Sequence, residues 1–345
     1  MASYDDKILN MSGETVGVVI ATYNGERYIN AQLTSILEQT ILPDSIIISD
    51  AGSTDSTLEI CEQYIERNRN INIRILTHAD QKKALAVVDN FEKGLRSIDT
   101  DYVFFSDQDD VWKPQKIEQV LRRMKEEGAT FCFTNAAVVD QDLNDVGVSL
   151  WDSYGFSPEM NGQDYFHYMP QKNNDLFLRL LLGNVVTGMT MCMHKSLKPL
   201  VLPFSKHAYH DAWISILASF TGGVIALDER LVLYRQHESN LEGANRSKGR
   251  IGNFFGRKLK AQERLSFLKD VKSRLSHNEY SIPEVLDDCI EFEEKRVKIL
   301  SEAHFPTKQE AKEYSRFCQE PQSVLVKDYL FVFYAVLKNL GNSSV

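Results

Sequence analysis

Four short runs rich in β-branched and aromatic residues, VGVVIA (16–21), SIIIS (45–49), INIRIL (71–76) and YVFFS (102–106), alternate with helix-patterned stretches through the first third of the chain. Few folds accept that rhythm. It predicts parallel strands joined by right-handed crossovers, with helices covering both faces of one sheet. Sheets of this kind bind ligands beyond the carboxyl ends of their strands, so the residues at those ends carry the functional information.

Three of the four runs stop on polar residues suited to ligands: Thr22-Tyr23-Asn24 after the first, Asp50 after the second and Asp107-Gln108-Asp109-Asp110 after the fourth. The third ends less clearly, at Thr77-His78. A buried strand gains no packing from acids at its tip, and clustered carboxylates repel unless a cation joins them. Hard oxygen ligands suit Mg2+ or Mn2+, and Mg2+ commonly takes one or two protein carboxylates together with substrate phosphates. The pattern therefore points to a nucleoside diphosphate held through a divalent cation. The plainer alternative is that some of these acids cap the helices that follow, and Asp55 is the clearest candidate for that lesser task. No G-x-G-x-x-G follows the first strand and no G-x-x-x-x-G-K-[ST] occurs, which argues against dinucleotide and P-loop chemistry.

A second set of signals lies between residues 183 and 240. Gly183-Asn184 and Thr187-Gly188 precede the apolar Met189 to Met193, His210-Asp211 opens a helical run, and LVLYRQH (231–237) closes the segment. Asp211 is placed either to cap its helix or to act as general base on an attacking hydroxyl. His237, at a strand end beside an acidic site, reads either as an ordinary imidazole or as a metal ligand, and Arg235 as a partner of phosphate oxygens or of an acid.

Composition narrows the class. A chain of 345 residues, 43% hydrophobic and with a formal net charge of −9, is a soluble globular protein of about two domains at roughly 150 residues each. The cysteines Cys61, Cys132, Cys192, Cys289 and Cys318 are odd in number and form no C-x-x-C pair, which argues against a disulfide framework and a zinc cluster and for a reducing cytoplasm. No signal peptide is visible, and the longest uncharged apolar run, Tyr329 to Leu337, has nine residues, about half of a bilayer span. Residues 1–244 carry 21 basic and 34 acidic groups (−13), whereas 245–345 carry 18 and 14 (+4). That asymmetry divides the chain into an extension (1–14), a first domain (15–243) and a helical C-terminal region (244–345). The acidic first part excludes nucleic acid as a partner. Arg246 to Arg274 holds ten Lys or Arg, and Ile251, Phe254, Phe255 and Leu259 recur at helical spacing. That basic helix and the aromatic end (Tyr329, Phe331, Phe333, Tyr334) fit three roles: peripheral contact with the inner face of a membrane, packing on the first domain, or pairing in a homodimer.

VGVVIATYNGERYINAQLTSILEQT (16–40), IIISDAGSTDST (46–57), YVFFSDQDDVWKPQKIE (102–118), HDAW (210–213) and YRQH (234–237) together resemble family 2 nucleotide-sugar glycosyltransferases, and within them bacterial rhamnosyltransferase-like enzymes. The resemblance covers about residues 15–240 and not the tail. It implies a GT-A fold, an α/β architecture with a mostly parallel, Rossmann-like sheet flanked by helices, here followed by a helical C-terminal region. It also implies a nucleoside-diphosphate sugar donor, a divalent cation and inversion at the anomeric carbon. By this resemblance Thr22, Tyr23 and Glu26, with Asn24, match the segment lining the nucleoside pocket, and Asp50 matches the acid that contacts the base. Asp107 and Asp109 match the D-x-D pair, with Asp109 the direct metal contact and Gln108 between them beside the donor. Asp211 matches the catalytic base, and His237 a histidine that completes the metal site in some relatives. The donor implied is dTDP-rhamnose, with a UDP-hexose as the alternative. The acceptor is a hydroxyl of a cell-surface glycan or a lipid-linked glycan.

Two departures bear on the donor. Relatives usually read Asp-Asp-Gly where this chain has Asp50-Ala51-Gly52, and HADQKKALAVVDNF (78–91) lacks their Asn-x-Gly turn. Lys82 and Lys83 then stand either as phosphate contacts or as plain solubilising charge. Two rivals stay open. Asp107 to Val111 also fits the D-x-D-x-[TV] pattern of phosphohydrolases, although that motif belongs on an early strand and three β-α units precede it here. A non-catalytic domain that keeps the sugar-nucleotide pocket as a partner in polysaccharide assembly is the other.

Overall fold

The computed structural model describes residues 13–77, 87–158, 175–221, 223–238, 257–317, 324–330 and 332. They fall into two compact units. The first collects the described residues of Met1–Glu159, Val185–Phe204 and Tyr209–Ala244, and the second those of Met160–Asn184, Ser205–Ala208 and Asn245–Val345.

In the first unit the alternation read from the sequence is realised as β1 (Val16–Thr22), α1 (Ile29–Leu37), β2 (Ser45–Asp50), α2 (Thr57–Arg67), β3 (Asn72–Thr77), α3 (Val87–Ser97) and β4 (Tyr102–Ser106). These strands pair in parallel in the order β3-β2-β1-β4, with Val18 opposite Ile46 on one side and Phe104 on the other. Val18, Val19, Ile20, Ile46, Ile47, Ile48, Phe104 and Phe105 are all fully enclosed. Burial on both faces is why these strands read as continuous apolar runs and not as alternating ones. Helix α1 buries Ile29, Leu33 and Ile36, one stripe at helical spacing.

Beyond β4 the sheet becomes mixed. The chain continues through β5 (Val111–Trp112), α4 (Lys116–Glu127), β6 (Phe131–Val139), β7 (Asp145–Ser149) and α5 (Leu150–Tyr154). After α6 (Asp175–Leu182), which belongs to the second unit, come β8 (Met191–His194), α7 (Lys198–Val201), α8 (His210–Ala218) and β9 (Val224–Arg235). The nine-stranded sheet runs β3-β2-β1-β4-β8-β6-β9-β5, with β7 paired to β6. Strand β8 lies antiparallel to both β4 and β6, β9 runs parallel to β6, and β5 closes back antiparallel on β9. The last pairing matters most for function, because it brings the residues after β4 beside the end of β9. A sheet of this make-up, flanked by helices and followed by a helical region, is the GT-A-type architecture expected.

The second unit is helical: α6, α9 (Arg257–His277), α10 (Glu284–Glu302) and α11 (Lys308–Phe317). Leu268, Val271, Leu275, Leu286, Ile299 and Leu300 form its apolar interior. Among the described residues no helix is long and apolar enough to cross a membrane. The described cysteines, Cys61, Cys132, Cys192 and Cys289, are buried free thiols, and burial pushes Cys61 and Cys132 up to about 12, so neither is a ready nucleophile.

Candidate active site

The loop after β1 and the loop after β2 are tied to each other. Thr22 donates its hydroxyl to Asp50 Oδ2 at 2.7 Å, and Asp50 also accepts from Gly52 N, Ser53 N and Ser53 Oγ, so both of its oxygens are engaged inside the protein. Asn24 sits in the left-handed region (φ 47), where Asn is tolerated, and its Oδ1 accepts from Thr54 N. Glu26 Oε2 accepts from Ser56 N while Glu26 N donates to Asp55 Oδ2. Asp55 Oδ1 also accepts from the backbone N–H and the hydroxyl of Thr57, the first residue of α2, whose N-cap is Ser56. Tyr23 stays 47% exposed at the lip of these loops.

The acidic turn is built onto that frame. Gln108 accepts from Tyr23 N at 2.9 Å and donates to Tyr23 O at 3.1 Å, a two-way clamp between the ends of β4 and β1. Gly25 makes room for it, since a Cβ there would overlap the Gln108 amide. Asp109 Oδ2 lies 2.9 Å from His237 Nε2, and the His237 ring packs at 4.6 Å on Tyr28. Arg235, read as a partner of phosphate or of an acid, is 5% exposed: its Nε donates to Asp109 O at 2.7 Å, another guanidinium nitrogen to Gln141 O, and its own N–H to Asp110 Oδ1. It positions Asp109 and stacks over Tyr28 at 4.7 Å.

Electrostatics mark the same corner. Burial, then the charges of Asp109 and Asp211, raise the Asp107 carboxyl to about 7 against an ordinary 3.8, with the Lys116 ammonium pulling weakly the other way. Asp110 is pushed up as well, first by burial and then by Asp109 and Asp107, and its Oδ2 has no hydrogen-bond partner. Lys116 is wholly enclosed, donates to Met189 O at 2.6 Å and lies 3.5 Å above the Trp112 ring. Asp211 stands in the first turn of α8, where Oδ1 accepts from Ala212 N. Thus the tips of β1, β2, β4 and β9 and the start of α8 supply one acidic corner.

A family model described as glycosyl transferase family 2 matches residues 17–201, more than half of the chain. The chain belongs to glycosyl transferase family 2. It is 29% identical over 235 residues, 66% of this chain and 74% of the relative, to the dTDP-rhamnosyl transferase RfbG of Shigella flexneri. It is 34% identical over 127 residues to the putative teichuronic acid biosynthesis glycosyltransferase TuaG of Bacillus subtilis, spanning 37% of this chain and about half (48%) of TuaG. In fold it is similar to S. aureus TarS 1–349 in complex with UDP-GlcNAc, with a TM-score of 0.52, 15% identity and 94% and 92% of the two chains covered. It is likewise similar to the mannosyltransferase PcManGT of Pyrobaculum calidifontis in complex with GDP-Man and Mn2+, with a TM-score of 0.50, 13% identity and coverage of 95% and 87%.

For this family 2 member the donor set fits a divalent cation. Asp109 and His237 present adjacent oxygen and nitrogen, Asp107 stands beside them, and repulsion among the carboxylates is what an added positive charge relieves. Among the described residues no three His, Cys, Asp or Glu are grouped to hold a metal ion. Tyr28, Lys116 and His210 are functional-site neighbours that sequence reasoning missed. Tyr28 follows Arg27 in a turn that reads as solvated, Lys116 opens a helix where lysine is normally exposed, and His210 is overshadowed by Asp211. Lys82, Lys83 and His78 lie outside the described residues, as do Phe331, Phe333, Tyr334 and residues 246–256 of the basic run.

Proposed function

We propose that this transferase moves a sugar, L-rhamnose from dTDP-rhamnose as the favoured donor, to a hydroxyl of a cell-surface or lipid-linked glycan in one displacement that inverts the anomeric carbon. The observation that carries the reading is the convergence of Asp107, Asp109 and Asp211 with His237, drawn from three separate stretches of chain, on one corner beyond the sheet. Thr22, Asp50 and the Gln108-held Tyr23 shape the wall for the nucleoside, Asp50 by ordering the 51–53 turn. Asn24 and Glu26 brace the same wall. Asp211 takes the proton of the acceptor hydroxyl as its oxygen attacks the anomeric carbon; the bond to the diphosphate breaks and its electron pair leaves with the phosphoryl oxygen. A Mg2+ or Mn2+ ion held by Asp109 and His237, with Asp107 alongside, would neutralise charge on the departing diphosphate. Arg235 fixes the backbone of Asp109 and so holds that pair in register.

RfbG, named a dTDP-rhamnosyl transferase, supports the rhamnosyl reading. The fold shared with TarS in complex with UDP-GlcNAc favours a second, a UDP-hexose donor, and Asp50-Ala51 in place of two acids leaves room for it. Titration calorimetry with dTDP, UDP and GDP, with Mn2+ or with chelator, tests the reading. Tight dTDP binding that needs Mn2+ and weakens at least tenfold in Asp109→Asn and His237→Ala is expected; nucleotide binding indifferent to metal and to both changes would overturn it.

A further inference from the structure

His210 opens α8 immediately before Asp211. Its ring is 4% exposed, stacked at 3.9 Å on Phe91 of α3 and 5.9 Å from Phe105 of β4. Phe105 stands two residues before Asp107, so one imidazole touches the elements that carry both sides of the corner. Neither ring nitrogen has a hydrogen-bond partner, and burial presses the ring down to about 3, which leaves it neutral. A packing role alone would favour an apolar side chain, because unpaired buried nitrogens lose their water and gain nothing. What imidazole offers is size: it is the smallest flat ring among the side chains.

Gly188 shows why size matters. A Cβ on Gly188 would lie 2.5 Å from His210 Nε2 and 2.8 Å from Cε1, so the backbone here already presses on the ring edge. That backbone has little freedom to withdraw. Thr190 N donates to Thr187 O at 2.8 Å, and Met189 O accepts from the buried Lys116 Nζ. The ring is therefore gripped between the Phe91 face and a fixed glycine, and it is covalently continuous with Asp211.

We propose that Gly188 and His210 form a matched spacer that sets the position of Asp211, making both of them positioning residues for the base. The inference rests on Asp211 being that base. Misplacing a catalytic group by about 1 Å can lower turnover by about 10²-fold, so crowding the spacer should act on turnover and not on nucleotide affinity.

Four variants test it: Gly188→Ala, His210→Phe, Gly188→Ala with His210→Ala, and Asp211→Asn. Turnover is read as Mn2+-dependent release of nucleoside diphosphate from dTDP-L-rhamnose or UDP-GlcNAc, whichever the wild-type protein consumes, with water standing in for the acceptor. Gly188→Ala and His210→Phe should each lower kcat at least tenfold while the Kd for the nucleotide with Mn2+ stays within about twofold. The double variant should recover at least fivefold over Gly188→Ala, because the smaller residue at 210 vacates the space the new methyl needs. Should Gly188→Ala not fold, His210→Phe and the double variant decide the matter. A kcat within twofold of wild type in the crowded variants, or a double variant no better than Gly188→Ala, would overturn the spacer. Wild-type turnover in Asp211→Asn would instead remove the base assignment, and coupling between positions 188 and 210 would then be confined to thermal unfolding.

Discussion

Asp107 sits where three carboxylates compete for one corner, and the conflict has a sign that can be measured. Its folded value of about 7 exceeds the ordinary 3.8, so the folded protein holds a proton that the unfolded chain releases between those limits. Metal-free stability should therefore fall as pH rises across that window, with Asp110 adding in the same direction. Scanning Tm against pH should show the fall, Asp107→Asn should flatten part of it, and Mn2+ should raise Tm more at the upper end than at the lower. A Tm flat across the window in metal-free protein would contradict the crowded-carboxylate account. Asp211 has a simpler expectation: Asp211→Asn should cut kcat by on the order of 10²–10⁴ and leave nucleotide affinity unchanged. A loss of less than about threefold would leave Asp211 as a helix-start residue only.

At the scale of elements the site depends on strand tips being clamped to one another. Gln108 is the clearest clamp, with two hydrogen bonds across from β4 to the backbone of Tyr23. Each such bond is worth about 0.5–1.5 kcal/mol, so Gln108→Ala should weaken dTDP binding by about tenfold in calorimetry. Unchanged binding would separate the clamp from the nucleotide wall. The first four strands were legible within a residue or two because β-branched runs buried on both faces leave little choice of period or face. The β5–β9 pairing was not, since a two-residue strand carries no periodicity and its partner lies far along the chain. The contacts of Arg235 were not legible for the same reason: until β9 is laid beside the acidic turn, nothing shows that its guanidinium donates to the carbonyls of Asp109 and Gln141.

For the molecule as a whole, the sequence shows where the charge balance reverses but not which charges are inside. Alternating Arg, Lys and Glu along a helix reads as a solvated face, yet in the second unit some of them are enclosed. Arg264 donates to Glu293 at 2.8 Å, Arg296 bridges Glu293 at 3.1 Å and Asp328 at 2.8 Å, and the Tyr314 hydroxyl adds a bond to Asp328 at 3.0 Å. Glu293, Arg296 and Asp328 are all buried, so the network joins α9, α10, α11 and the 324–330 segment through charges that water does not reach. Removing one member leaves the buried network short of a charge: Arg296→Met takes the guanidinium from both Asp328 and Glu293, for a loss of about 3–5 kcal/mol. Urea unfolding of the full chain, followed through the transition of this unit, should show that loss. Replacing Asp328 by Leu as well should return part of it, because Glu293 keeps Arg264 and no buried charge is left alone. A double variant as unstable as Arg296→Met would mean that the packing of the arginine stem, and not charge, is what the network supplies.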